Sequence, residues 1–193
     1  GVKGISLFVV PKYLTDGTRN DVALVALNHK MGNHATTNAL LSFGDGTHQP
    51  TADAGAVGYL VGQEHKGLAY MFHMMNEARV AVGLQATAIG YAGYCASVKY
   101  AKERTQGRAV DGKDPVRPAV LIIEHADVKR MLLAQKSYVE GALALGLYCT
   151  RLVDEQRTGA DTDRRRAQLL LEVLTPIAKS WPSQWCLEAN NLA

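Results

Sequence analysis

Two pairs of polar residues have the types and spacing of a ligand-binding site. The first pair is Asn76 and Arg79, which are three residues apart and would lie on one face of a helix. An amide can pair with another amide, and a guanidinium can fork onto a carbonyl or a phosphate. The spacing alone favours a local pair on a helix surface, so a role in binding needs further support.

The second pair is Arg104, which ends the long stretch 66–104 that is expected to be a helix, and Gln106, which follows it. A cation at the C-terminal end of a helix is favoured by the helix dipole alone. The position of Arg104 is therefore explained without a ligand, and its role in binding also depends on other observations.

The histidines and cysteines show no spacing that is typical of a metal site or a disulfide framework. The chain has no CxxC motif, and an odd number of cysteines indicates reduced core thiols in a cytoplasmic compartment. We therefore predict no metal site and no disulfide. The residues considered are His65, His73, His125, Cys95, Cys149 and Cys186.

Length and composition are typical of a soluble protein with a substantial hydrophobic core and one to one and a half domains. It has 193 residues, 47% of them hydrophobic, and 21 basic against 18 acidic residues give a net charge of +3. This charge is too small to indicate nucleic-acid binding, and the short basic run at 164–166 is typical of a solvated helix face. The apolar stretch 80–95 contains Gln85 and several glycines, which argues against a membrane span.

The stretch Lys66–Arg104 predicts one long helix of about 55–60 Å. No charged residue lies between Val80 and Lys99, so we expect this helix to be buried on most sides. Three methionines near its start are expected in a pliable core or in the wall of an acyl pocket, namely Met71, Met74 and Met75.

Two further helices are expected after it. One begins around residues 125–128 and ends near Gln156; a polar break at 157–163 follows, and the last helix runs from Arg164 to the end, with a kink or break at Pro176. Four apolar runs before the first helix predict strands, namely Ile5–Val10, Val22–Leu27, Thr36–Phe43 and Ala56–Val61.

The fold class predicted is mostly α. Three long helices of an up-down four-helix bundle, residues 65–193, follow a partial antiparallel β-domain, residues 1–64. The chain begins with Gly1 rather than methionine and ends within a helical pattern, so we expect it to be an excised piece of a longer protein.

Several motifs occur together in the order found in one family of flavoenzymes. They are HKMGNHATTNALLSFG, GAVGYLVGQEHKGLAYMFHMMNEARVAVGLQA, YAKERTQGR, HADVKRMLLAQKSYVEGALAL and LTPIAKSW. In this combination the chain resembles the acyl-CoA dehydrogenases, and within them the 3-methylmercaptopropionyl-CoA dehydrogenase-like subgroup. The resemblance covers nearly the whole chain and corresponds to the C-terminal half of a member.

The resemblance implies a function and roles for both polar pairs. The function is FAD-dependent oxidation of an acyl-CoA thioester to the 2,3-enoyl-CoA. Asn76 and Arg79 match residues that contact the substrate, while Arg104 and Gln106 match residues that contact the FAD pyrophosphate of a neighbouring subunit. The usual segment has a phenylalanine after the glutamine, whereas Gly107 stands here, which puts an aromatic contact to the cofactor in doubt.

The same resemblance implies that the catalytic base is absent from these residues. In most members it is a glutamate in an aromatic-Glu-Gly-Thr segment beyond the last bundle helix, and the alternative position on the first bundle helix holds no acid here. Glu77 and Glu103 are expected to be solvated or ion-paired, because charged residues usually stay at the surface. We assign no catalytic residue and expect the piece alone to be inactive.

Partners implied by the family are an acyl-CoA substrate, an electron-transfer acceptor and a second copy of the chain in a homodimer or homotetramer. Two other functions remain open. One is a flavoprotein of the same fold that is not a dehydrogenase, either of the DNA-associated alkylation-response type or a nitroalkane oxidase. The other is a helical assembly module without a cofactor, whose stability would not depend on flavin.

Overall fold

The structure is a computed structural model that describes residues 4–51, 53–109 and 116–193. Its residues form two compact units, one ending at Phe72 and the other spanning His73–Ala193. Short antiparallel strands come first and three long helices follow. The predicted fold class, mostly α with antiparallel β-structure ahead of the helices, is confirmed.

The strands pair into two small antiparallel sheets. Strand β1 pairs with β4, and β2 pairs with β3 in a register that places Val22 opposite Phe43 and shifts between Leu24 and Ala26. Only β2 has its predicted bounds, and the other three strands are shorter than the apolar runs that predicted them. The strands are β1 (Phe8–Val9), β2 (Val22–Leu27), β3 (Ala39–Phe43) and β4 (Tyr59–Leu60).

Two buried polar residues hold this unit together. Asn20 is fully buried; its side-chain Nδ2 donates to the carbonyls of Pro11 and Val57, both at 2.8 Å, and its Oδ1 accepts from the N–H of Val57 at 2.9 Å. Asp21 accepts from the backbone N–H groups at positions 46 and 48. Loss of the Asn20 side chain would leave the half-buried backbone groups of Pro11 and Val57 without these partners.

The helices are close to those predicted. A short 3-10 helix precedes the second of them, and none of the described helices is long and apolar enough to cross a membrane. The predicted start of the last helix at Arg164 is wrong, because the break between the last two helices is only two residues long. The bounds are α1 (Gly67–Glu103), 3-10 (Ile122–Glu124), α2 (Ala126–Thr158) and α3 (Asp161–Asn191).

Helix α3 is not broken at Pro176. It continues through this residue and through Pro182, which the sequence reading did not single out. A proline removes one backbone hydrogen bond but does not end a helix whose inner face is packed. The basic run 164–166, as expected, is exposed, and Arg164 pairs with Asp161 in the first turn.

The core of the bundle is a set of seams whose residues recur at intervals of three and four. This spacing keeps one stripe of each helix facing its neighbours, as in coiled-coil packing. Small residues dominate the seams, so the helix axes approach closely. The seam residues are Val80, Gly83, Thr87, Gly90 and Ala101 in α1; Gln135, Val139, Ala142, Gly146, Cys149 and Leu152 in α2; and Ala167, Leu171, Thr175, Ala178, Pro182, Cys186 and Ala189 in α3.

Helices α1 and α3 pack closely at Gly83. A Cβ at this position would lie 1.9 Å from the carbonyl oxygen of Ala178, a separation that atoms do not reach. In a regular helix that carbonyl would accept the N–H of residue 182, but Pro182 has none. The carbonyl freed by proline is therefore packed against a residue that has no side chain.

Two more glycines continue this close approach. A Cβ at Gly90 would lie 2.7 Å from the Cβ of Cys186, and one at Gly93 would lie 2.1 Å from Oδ1 of Asn190. Glycine is therefore required at Gly83 and Gly90, where the backbone or Cβ of α3 occupies the space of a side chain, while at Gly93 the side chain of Asn190 would have to move. We call Gly83, Gly90 and Gly93 the glycine seam.

The expectation that α1 is buried on most sides is wrong. Its seam is buried, but apolar residues on other faces are open, with Val82 exposed to 42% and Ile89 to 58%. Met74 is 70% exposed and is therefore not part of the core. The absence of charge in this stretch does not reflect burial within the chain.

The three thiols fall into two environments. Cys149 and Cys186 are buried as predicted, whereas Cys95 is exposed, so its assignment to the core is wrong. Burial raises the pKa of the Cys149 thiol and that of the Cys186 thiol, and at Cys186 a hydrogen bond with Thr87 partly opposes the rise. The buried thiols therefore stay neutral at pH values where an ordinary cysteine begins to ionise.

We expect Gly83→Ala to lower the free energy of unfolding by about 1–3 kcal/mol or more, since its Cβ would overlap the Ala178 carbonyl. The matched control is Gly141→Ala, whose Cβ would have only Trp181 near it, at 3.9 Å. That variant should gain about 0.5–1 kcal/mol from helix propensity. Urea unfolding measures both, and equal stability of the two variants would refute the close packing.

We expect a thiol reagent at about pH 8 to modify only Cys95 rapidly in the native chain and all three thiols in denaturant. A Cys95→Ser variant should show no rapid modification. Rapid reaction of two or more thiols in the native wild type would contradict the burial of Cys149 and Cys186.

Candidate functional site

The first polar pair lies near the start of α1. Asn76 and Arg79 are both half-buried and share one face of the helix. Between them Glu77 points elsewhere and forms an ion pair with Arg157 of α2. The expectation that Glu77 is solvated or ion-paired is confirmed.

The two polar pairs do not form one cluster. Arg79 and Arg104 are 25 residues apart in the sequence, which corresponds to about 37 Å along a helix. Glu103, the other acid considered, is exposed at the end of α1. The chain therefore offers two separate contact points, one near each end of α1.

The second polar pair lies on a short antiparallel ribbon that follows α1. The N–H of Ile122 donates to the carbonyl of Arg104 at 2.9 Å, and the N–H of Gln106 donates to the carbonyl of Val120 at 2.9 Å. Thr105 bridges to Leu121 between them. These bonds tie the segment that carries Arg104 and Gln106 to the entry of α2. We call residues 104–108 and 117–122 the basic ribbon.

The ribbon is irregular at Gly107. The N–H of Val120 donates to the carbonyl of Gly107 at 3.1 Å, not to that of Gln106, and Gly107 has a left-handed φ of 70° that favours glycine. The carbonyl of Gln106 instead accepts from Nε2 of His125 at 2.7 Å. An irregularity of this kind turns the strand and redirects its side chains.

Cations dominate the surface of the ribbon. The side chain of Arg104 is exposed, and among the described residues no carboxylate lies within ion-pair distance of it. Lys102, Arg108 and Arg117 are exposed nearby in the sequence, and Nε of Arg108 donates to the carbonyl of Arg117 across the ribbon. Such a surface is suited to an anion.

An apolar cleft of about 370 Å³ lies beside the ribbon, between α1, the start of α2 and the end of α3. Tyr100 and Ile122 line it next to the ribbon, and Gln135 lines it from α2. Gln135 is 1% exposed; its Nε2 donates to the carbonyl of Leu192 at 3.0 Å, but its Oε1 has no partner among the described residues. Oε1 of Gln135 is therefore a buried acceptor without a partner among the described residues.

The sequence reading missed the residues that hold the ribbon. It rejected His125 as a metal ligand and placed it only near the start of a helix, and it noted Gly107 only for the missing aromatic side chain. One signal was available: His125 occupies the N-cap position of α2, where serine, threonine, aspartate and asparagine are preferred.

The curated proteins that the chain resembles include several acyl-CoA dehydrogenases. The chain is 39% identical over its full length to 3-methylmercaptopropionyl-CoA dehydrogenase of Ruegeria pomeroyi and covers 32% of that protein. It is 36% identical, over 95% of its length, to the broad-specificity linear acyl-CoA dehydrogenase FadE5 of Mycobacterium tuberculosis and covers 31% of it. The chain thus spans about a third of the length of these curated relatives.

Solved structures show the same fold. Caenorhabditis elegans ACDH-11, in complex with C11-CoA, matches with a TM-score of 0.75 at 18% identity, over 100% of this chain and 28% of that one. No protein-family model matches the sequence. Sequence identity to the curated relatives over nearly the whole chain, together with this helical fold, establishes that the chain belongs to the acyl-CoA dehydrogenase family.

Proposed function

We propose that this chain is the part of an FAD-dependent acyl-CoA dehydrogenase that binds the cofactor pyrophosphate at one end of α1 and the CoA moiety near the other. The observation that carries the proposal is the exposed guanidinium of Arg104, which has no acidic partner among the described residues and stands on a ribbon fixed by backbone hydrogen bonds.

The residues around Arg104 fit the chemistry of FAD. A guanidinium can bind a pyrophosphate through two parallel hydrogen bonds, and the amide of Gln106 can donate one more. The adjacent cleft is apolar, which suits a flat aromatic ring. When bound, FAD would supply the acceptor for a hydride from the substrate.

Asn76 and Arg79 are proposed to hold the CoA part of an acyl-CoA substrate. The amide of Asn76 can pair with an amide of the pantetheine arm, and the guanidinium of Arg79 can bind a carbonyl or phosphate oxygen. Both side chains are half-buried on one face of α1, so their positions are restrained before a ligand arrives.

The proposed reaction converts an acyl-CoA to the 2,3-enoyl-CoA by loss of the α-proton to a base and of the β-hydrogen as a hydride. A base must be desolvated and held against the α-carbon. Glu77 is paired with Arg157, and Glu103 is exposed, so neither is proposed as the base. This chain contributes binding and orientation, and we propose that it does not turn over alone.

The proposal includes three further features of the whole enzyme. An electron-transfer acceptor would reoxidise the cofactor, the enzyme would work in the cytoplasm, and it would be a homodimer or homotetramer. The exposed apolar face of α1, with Val82 and Ile89, supports assembly through the helical bundle.

The test is the visible absorption of the flavoprotein that contains this chain, recorded anaerobically before and after addition of acyl-CoA thioesters of graded chain length. We expect a yellow protein that is bleached by at least one thioester. A yellow protein that no thioester bleaches would contradict dehydrogenation and favour a flavoprotein of another activity on the same fold. A protein that does not take up supplied FAD would favour an assembly module.

A further inference from the structure

The residue at the start of α2 does not perform the usual task of its position. His125 is the N-cap, with extended backbone dihedral angles of −70° and 136°, yet its side chain makes no capping hydrogen bond to α2. A serine, aspartate or asparagine here would satisfy one of the free N–H groups of the helix and stabilise it. The histidine therefore gives up a local gain in stability.

Its ring instead holds the basic ribbon. Nε2 of His125 lies 2.7 Å from the carbonyl oxygen of Gln106, and the imidazole also closes the space beside Gly107, where a Cβ would lie 3.3 Å from two ring atoms. A carbonyl only accepts, so Nε2 is the donor. Both the neutral Nε2–H tautomer and the imidazolium can donate from this nitrogen, so the bond does not require a charged ring.

The bond is made at the point where the ribbon ladder leaves a gap. In a regular antiparallel pair, Val120 and Gln106 would each donate an N–H to the carbonyl of the other. Here the N–H of Gln106 donates to Val120, but the N–H of Val120 donates to the carbonyl of Gly107. Without His125, the carbonyl of Gln106 would have only solvent as a donor. The turn at Gly107 would then be held only by the hydrogen bond from the N–H of Val120. His125 supplies the missing donor from the N-cap position of a 33-residue helix.

We propose that His125 is a positioning residue for the cofactor site: through Gln106 it fixes the direction in which the Arg104 segment presents its guanidinium to the FAD pyrophosphate. This inference rests on the proposed role of Arg104. His125 itself need not touch the cofactor, since its ring nitrogen is engaged with the backbone. Without it, Arg104 would still be present but would sample more orientations, which weakens binding through lost preorganisation.

Two substitutions at this one position separate positioning from folding. In His125→Asn the side chain can cap α2 but is too short to reach Gln106, so stability should be kept or raised. In His125→Gln the amide nitrogen extends about as far as Nε2 and can donate to the same carbonyl. Each variant serves as the control for the other.

Two readouts are needed, and one does not involve the cofactor. Amide hydrogen exchange of Gln106 and Val120 reports whether the ribbon is held, and we expect it to be about five- to tenfold faster in His125→Asn and unchanged in His125→Gln. FAD titration of the apo-flavoprotein containing the chain should give a dissociation constant raised by about the same factor in His125→Asn only.

An Arg104→Gln variant distinguishes failure of this inference from failure of the proposed function. If Arg104→Gln weakens FAD binding but His125→Asn does not, Arg104 binds the cofactor and the positioning role of His125 is refuted. If neither change weakens FAD binding, the cofactor role of Arg104 is itself refuted, and the inference with it. Unchanged amide exchange in His125→Asn would show that the ring does not hold the ribbon.

Discussion

Close packing between the glycine seam of α1 and the inner face of α3 is the constraint on which the rest of the helical unit depends. At Gly83, Gly90 and Gly93 any side chain would occupy the place of an atom of α3. Pro182 contributes by freeing a carbonyl that then faces Gly83. Such contact at backbone distance replaces large apolar side chains with many dispersion contacts, and it allows only one relative position of the two helices.

That fixed position has consequences at the end of α1. Because α1 cannot slide along α3, the residue at which it ends is set in space, and the basic ribbon begins there. Helix α2 also packs closely against α1, since a Cβ at Gly146 would lie 2.4 Å from the side-chain Cδ2 of Leu84. The ribbon is then attached at both ends, to α1 through Arg104 and to α2 through His125. Rigid elements hold a binding residue more accurately than a free loop does.

Sequence patterns were sufficient for helices α1 and α2 and insufficient for the start of α3 and for the contacts between the helices. Long apolar stretches predicted α1 and α2 to within about two residues, because helix length follows from local pattern. The same lack of charge suggested burial on most sides of α1, but composition cannot say which face has a neighbour in this chain. Pro176 suggested a kink or a break, and the helix continues through it without a break. Long-range partners such as Ala178 for Gly83 have no local signal.

For the candidate site as well, the sequence indicated the residues but not the contacts that hold them. Residue types and their order indicated Asn76, Arg79, Arg104 and Gln106 through resemblance to a family, and the fold confirms only where they lie. What holds Gln106 came from the structure, since a histidine 19 residues away in sequence has no pattern that links it to that carbonyl.

The most direct test of this account is a crystal structure of the FAD-loaded flavoprotein that contains this chain. We predict the guanidinium of Arg104 within hydrogen-bond distance of the FAD pyrophosphate, with the Gln106 carbonyl still bonded to His125. A pyrophosphate held by other residues, with Arg104 directed into solvent, would contradict the account.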